Sequence, residues 1–236
     1  MLKTKKKSMP HCEIKKEEKS NWECVSSLIK DQKPMILGKY ASYWFFKTPR
    51  RMLHSMSYYK FAAKMIGSGK YVLDIGCNEG LGTYLLAKEC GFAKGMDFDE
   101  EAIAIAQANF KDKKVEFEVG DFLLSPHLGM WDAVTNFDVI EHIFPDHVDA
   151  FWKGLVASIN PEGIAIIGTP SLISQQYASE VSKKGHVNVY TPERLEEEMR
   201  QHFTHVFMFS AHDEIVHTGY PALAHYLIAV GCKKKS

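Results

Sequence analysis

Residues 71–82, Tyr-Val-Leu-Asp-Ile-Gly-Cys-Asn-Glu-Gly-Leu-Gly, constrain the fold more than any other stretch of the chain. Val72, Leu73 and Ile75 supply a short apolar strand. Gly76, Gly80 and Gly82 let the backbone turn tightly and approach a ligand closely, and a helix is expected to start there. Asp74 stands at the strand end, where a carboxylate holds an ammonium group or orders the turn. The spacing is not the G-x-G-x-x-G of dinucleotide sites, because Asn78 and Leu81 occupy the second and third glycine positions counted from Gly76. The pattern present is acid-x-Gly-x-x-x-Gly.

The following segments repeat a strand, turn and helix rhythm. Residues 93–97 read as a second strand ending in Asp97, with Phe98 after it. Asp97 lies roughly twenty residues beyond the turn, the spacing at which an acid meets a pair of ribose hydroxyls. Glu101 to Phe110 reads as a helix with Ala102, Ile103, Ala106 and Phe110 on its apolar face. Val115 to Val119 alternates like a strand and runs into Gly120, Asp121 and Phe122. Strands are also expected over residues 131–137, ending in Phe137, and over residues 164–169. The alternation predicts an α/β fold: a Rossmann-like, mostly parallel sheet with helices on both faces. Residues 202–210 and 224–231 read as two final strands, an antiparallel C-terminal hairpin that completes seven.

The turn, Asp97, the Gly120-Asp121-Phe122 segment and the Asp138-Val-Ile-Glu-His142 segment, in this order, resemble the motifs of the class I S-adenosylmethionine-dependent methyltransferases. The resemblance covers about residues 70 to 232 and departs at Asn78, where the family has a glycine. Asn tolerates positive φ better than most residues, so the turn is expected to keep its shape. The resemblance implies S-adenosyl-L-methionine as cofactor, bound by Asp74, Gly76, Asn78, Gly80, Asp97, Phe98, Asp121, Phe122 and Phe137. Asp121 would take the adenine amine and an apolar ring would cover the base. The chain also looks like small-molecule and surface-carbohydrate methyltransferases of bacteria.

Lysines and arginines balance aspartates and glutamates at 29 each, so no global field favours nucleic acid or an anionic membrane. Five scattered cysteines with no C-x-x-C pair fit a reduced, cytoplasmic compartment. No apolar run approaches the roughly 20 residues of a membrane span. Residues 1–21 are Lys-rich and read as a disordered basic tail. Residues 22–66 read as a helical lid that shapes the acceptor pocket: Tyr40, Tyr43, Trp44, Phe45 and Phe46 cluster there, beside Arg50 and Arg51. Thr48 is expected to cap the next helix, with Pro49 in its first turn. Residues 67–236 form the cofactor-binding domain.

Asp138, Glu141, His142 and His186 fall after the fourth and fifth strands, at the sheet edge where open α/β folds bind ligands. His186 sits on a polar, Gly-preceded loop before a helix capped by Thr191 and is the expected general base, with His142 as the second catalytic candidate. The expected reaction is methyl transfer to a hydroxyl of a small polar molecule, such as a sugar, a nucleotide-sugar or a secondary metabolite. No metal, membrane or nucleic-acid partner is expected. Three alternatives stand beside it. The spacing of Asp138, Glu141, His142 and His186 also resembles the divalent-metal site of small-RNA 3′-end 2′-O-methyltransferases, which would make the chain a metal-assisted ribose methyltransferase. The others are an N-methyltransferase and a non-catalytic cofactor-binding subunit.

Overall fold

The computed structural model describes residues 11–129 and 131–235. They fall into two compact units, one through Ile36 and one from Leu37 onward. The first holds a single helix, α1 (His11–Leu28). The expected disordered tail is corrected over residues 11–21, which are helical; residues 1–10 lie outside the described residues. Lys and Glu are strong helix formers, and Lys19 pairs with Glu23 one turn on at 3.9 Å, so low apolar content does not prevent a helix here.

The second unit begins with α2 (Lys39–Lys47) and α3 (Arg50–Ile66). Then come β1 (Lys70–Ile75), α4 (Leu81–Cys90), β2 (Gly91–Asp97), α5 (Glu100–Asn109), β3 (Val115–Val119) and β4 (Trp131–Phe137). The chain continues through α6 (Val148–Ser158), β5 (Ile159–Pro170), α7 (Glu180–Gly185) and α8 (Pro192–His202). It closes with β6 (Phe203–His212), β7 (Ile215–His217) and β8 (Tyr226–Lys234).

The strands form one sheet in the order β3-β2-β1-β4-β5-β8-β6-β7. The five from β3 to β5 are parallel, and β8, β6 and β7 join antiparallel. The sheet thus has eight strands where seven were expected. The extra one, β7, pairs over only three residues with the end of β6, too short for alternation to reveal. Thr48 is also corrected. Its N–H bonds to the Trp44 carbonyl at 2.8 Å and closes α2, and Pro49 takes the N-cap position of α3. The two helices are so close in sequence that the end of one uses the residue expected to start the other. Thr191 does cap α8, accepting the Arg194 N–H at 3.2 Å.

Alternation along β1 sends successive side chains to opposite faces. Val72 joins one core with Tyr58, Tyr59 and Ala62 of α3 and Leu86 of α4. Leu73 and Ile75 join the other with Phe151 and Trp152 of α6 and Leu195 of α8. After β3 the chain returns to place β4 against the far side of β1. The carboxyl ends of β1 and β4 therefore flank the point where strand order reverses, the place where such sheets open a crevice.

Candidate active site

A cavity of about 670 Å³ occupies that crevice. Its floor is the turn after β1. Gly76 and Gly80 have φ of 75° and 79°, and Asn78 adopts φ 49°, so the asparagine keeps the left-handed geometry expected of it. The glycines are also required by space. A Cβ on Gly80 would lie 2.6 Å from Phe117, and one on Gly76 would lie 2.2 Å from Val139.

Asp74 does not face the cavity. It is fully buried and accepts hydrogen bonds from Thr83 Oγ1 at 2.6 Å, Thr135 Oγ1 at 2.7 Å and the Tyr59 hydroxyl at 3.2 Å. Of its two expected roles, ordering the turn is the one its contacts serve, and it is not among the described residues that line the cavity. Burial raises its pKa to about 6, against the lowering effect of the three hydroxyls.

Asp97 does line the cavity. Its Oδ2 accepts the Asn78 N–H at 2.8 Å and its Oδ1 accepts the Asp99 N–H at 2.9 Å, so it ties the turn after β1 to the turn after β2. Phe98, Asp121, Phe122 and Phe137 line the same cavity. Phe98 is exposed, Phe122 and Phe137 are buried, and Asp121 accepts the Leu123 N–H at 2.9 Å. The residues expected at a ribose, an adenine and a glycine turn are therefore brought together, apart from Asp74.

The other end of the cavity holds Arg51, Asp138, His142 and His186. Arg51 Nη2 lies 3.1 Å from Asp138 Oδ2, and its guanidinium stands 5.3 Å from the Trp44 ring centre. Asp138 has φ 57°, and its Oδ1 is buried without a hydrogen-bond partner. Glu141 is fully buried; its Oε2 accepts from Thr169 Oγ1 at 3.0 Å while its Oε1 has no partner. Burial, and then the Asp138 charge, push the Glu141 carboxyl up to about 8.

His186 follows the short helix α7, which ends at Gly185, and stands on the expected loop before α8. Its Nδ1 lies 2.7 Å from Gln175 Oε1, and His142 Nδ1 lies 2.8 Å from the Gly185 carbonyl. Both partners only accept, so each Nδ1 carries a proton. The rings are 5.1 Å apart between centres. Burial, then His142, lower the His186 pKa to about 4, so the ring is neutral at pH 7. Glu141, His142 and His186 each offer one ligand atom within 4.8 Å of the others. Asp138, the fourth member of the expected metal set, is outside that group and pairs with Arg51.

Glu79, in the middle of the glycine turn, carried no expectation. It is 4% exposed and accepts backbone N–H groups of α2 from Gly38, Tyr40 and Ala41. Its partners lie about forty residues away in sequence, so no local pattern could have pointed to it.

Residues 72–163 match a family profile described as a methyltransferase domain. A probable S-adenosylmethionine-dependent methyltransferase of Mycolicibacterium smegmatis is 31% identical over 135 residues, covering 56% of this chain and 48% of that protein. A ubiquinone biosynthesis O-methyltransferase of Aeromonas salmonicida is 24% identical over 143 residues, covering 54% and 59%. The chain thus spans about half the length of the curated relatives it matches. The N-methyltransferase NodS of Bradyrhizobium japonicum, solved with S-adenosyl-L-homocysteine, superposes with a TM-score of 0.56 at 18% identity, covering 80% of this chain and 87% of that one, a likeness of fold. None of the described helices is long and apolar enough to cross a membrane. The matched segment places residues 72–163 in the methyltransferase-domain family, whose members similar to this chain include S-adenosylmethionine-dependent methyltransferases.

Proposed function

We propose that this protein transfers the methyl group of S-adenosylmethionine to a hydroxyl of a small, uncharged acceptor. The carrying observation is that one cavity joins Asp97 and the glycine turn at one end to the His142 and His186 pair at the other. In this reading Asp97 takes the ribose hydroxyls, and Asp121, Phe98 and Phe122 hold the adenine. The amino-acid end of the cofactor is a zwitterion. Arg51 and the unpartnered Asp138 Oδ1 offer it the complementary charges.

That assignment narrows the acceptor. The described lining includes four acids whose carboxylates are not spent on α2 backbone, Asp97, Asp99, Asp121 and Asp138, against the single guanidinium of Arg51. Among the described residues no lysine and no second arginine lines the cavity, which disfavours nucleotide-sugars and RNA and suits a sugar or secondary-metabolite hydroxyl. The acceptor oxygen attacks the methyl carbon, the carbon–sulfur bond breaks, adenosylhomocysteine leaves, and the hydroxyl proton passes to a base. The enzyme's part is alignment and proton removal. The buried free thiols Cys77 and Cys90 agree with a reducing, cytoplasmic setting.

A second reading of the proton step is favoured by a specific observation. An imidazole with a pKa near 4 is a weak base for a hydroxyl. Two imidazoles whose Nδ1 atoms are held by acceptor oxygens, beside a buried and unpartnered Glu141 oxygen, fit a divalent cation. Glu141 Oε1 and the Nε2 atoms of His142 and His186 would hold it, and the ion would supply polarisation of the acceptor oxygen.

Labelled cofactor offered to acceptor pools tests the activity, and chelation separates the two readings. With His186 as base, His186→Ala lowers turnover roughly a hundred- to ten-thousand-fold, and chelators leave the parent active. With a cation, chelation silences the parent, added Mn or Mg restores it, and His142→Ala is as damaging as His186→Ala. Turnover of His186→Ala within a few-fold of the parent under both conditions contradicts both readings and favours an N-methyl acceptor. Cofactor binding without transfer to any pool favours a non-catalytic subunit.

A further inference from the structure

Glu79 lies on the glycine turn, yet its carboxylate turns away to serve another element. Oε2 accepts the Gly38 N–H at 2.9 Å, Oε1 accepts the Tyr40 N–H at 2.8 Å, and both lie 3.3 Å from the Ala41 nitrogen. These are the free N–H groups at the start of α2, where no side chain of the helix itself makes a cap. A buried carboxylate there satisfies the donors and meets the positive end of the helix dipole. The fit is close enough to specify the partner: a Cβ on Gly38 would stand 2.5 Å from Glu79 Oε1.

The same helix end is pinned to a second cofactor-side turn. The Tyr40 hydroxyl donates to Asp99 Oδ2 at 2.7 Å, and Lys39 Nζ lies 3.1 Å from the same carboxylate oxygen. Asp99 follows Asp97 by two residues and gives it a backbone N–H. Tyr40, Ala41 and Trp44 of α2 form a wall of the cavity. A ligand seated between the two turns is thus enclosed by a helix whose start is tied down by exposed contacts of Lys39 and Tyr40 and by one buried carboxylate.

We propose that Glu79 is a positioning residue that latches α2 over the cofactor, and that this latch sets how long the cofactor stays bound. Glu79 acts through α2 and does not touch the ligand. The proposal rests on the reading of the cavity as the S-adenosylmethionine site. A simple turn-ordering role for Glu79 would leave the α2 side of the contact unimportant, so the latch is tested from both sides. Glu79→Gln replaces one acceptor oxygen by an amide that repels the α2 N–H groups. Gly38→Ala leaves the glycine turn intact and drives a methyl group against Oε1. Gly38 has φ −76°, which alanine adopts without strain.

The experiment measures adenosylhomocysteine dissociation by displacement, with amide hydrogen exchange resolved by segment. Both variants should release adenosylhomocysteine about ten-fold faster or more, as expected for loss of charge-assisted bonds. Exchange should rise over residues 38–47 and stay at the parent level in β1, β2 and β4. Fast release in Glu79→Gln with parent-like release in Gly38→Ala overturns the latch and returns Glu79 to the turn itself. Parent-like release in both overturns it as well. If the parent binds no adenosylhomocysteine, the cofactor reading fails, and so does a latch defined by cofactor release. Exchange over residues 38–47 then reports only whether Glu79 still caps α2.

Discussion

Asp74 and Asp97 end neighbouring strands and carry the same side chain, but burial separates their roles. Asp97 reaches the cavity, whereas Asp74 is enclosed by three hydroxyls. Because burial raises the Asp74 pKa from 3.8 to about 6, the folded protein keeps its proton over a range where the unfolded chain has lost it. Stability from this group is therefore present at low pH and falls as pH rises from about 4 to 6. The Asp74→Asn variant should lack this loss. The stability of the parent relative to Asp74→Asn, followed by denaturant titration, should decline across that window; a difference independent of pH would contradict the assignment. His186, with its lowered pKa, acts in the opposite direction in the same range and cancels in the comparison. At this scale the sequence was legible where a residue type has one use. Asp97, Asn78 and the glycines were placed by spacing and by φ. Asp74 had two uses, and only burial decided between them. Glu79 was hidden because its partners are distant backbone groups.

The elements were legible where they are long and half-buried. The parallel strands and α8 follow from alternation and from the Thr191 and Pro192 start signal. β7 and α7, at three and six residues, have no buried residues to leave a pattern. The helix α7 that leads into the His186 loop was missed for that reason. α1 was missed because it is exposed and highly charged. The contact between α3 and α4 shows how closely elements are matched. Gly82, in the first turn of α4, faces the Tyr59 ring of α3, and a Cβ there would come within 2.1 Å of it. The three nearest atoms all belong to that ring, which is packed against Phe137 and bonded to Asp74. Gly82→Ala should therefore cost ~1–3 kcal/mol through overpacking, read as a lower denaturation midpoint. An unchanged midpoint would mean that α3 shifts freely on α4. Of residues 22–66, expected to act as a lid, those that line the cavity belong to α2 and α3; a variant lacking residues 1–36 should bind adenosylhomocysteine like the parent, since every described cavity-lining residue lies beyond that point. Weakened binding would show that α1 contributes.

At the scale of the molecule, balanced overall charge conceals a local excess of carboxylates in the cavity. Sequence composition could report the first but not the second, because the acids come from separate turns that only the sheet brings together. The parallel order of β1, β2 and β4 collects Asp97, the glycine turn and Asp138 at one edge. The cofactor assignment depends on that gathering. Calorimetric titration of S-adenosylhomocysteine into the parent and into Asp97→Ala tests it most directly. The parent should bind one equivalent. Asp97→Ala should lose ~1.5–3 kcal/mol of binding, roughly ten- to a hundred-fold in affinity, while its far-ultraviolet spectrum stays that of the parent. No binding by the parent, or equal affinity in the variant, would contradict the placement of the cofactor between β1 and β2.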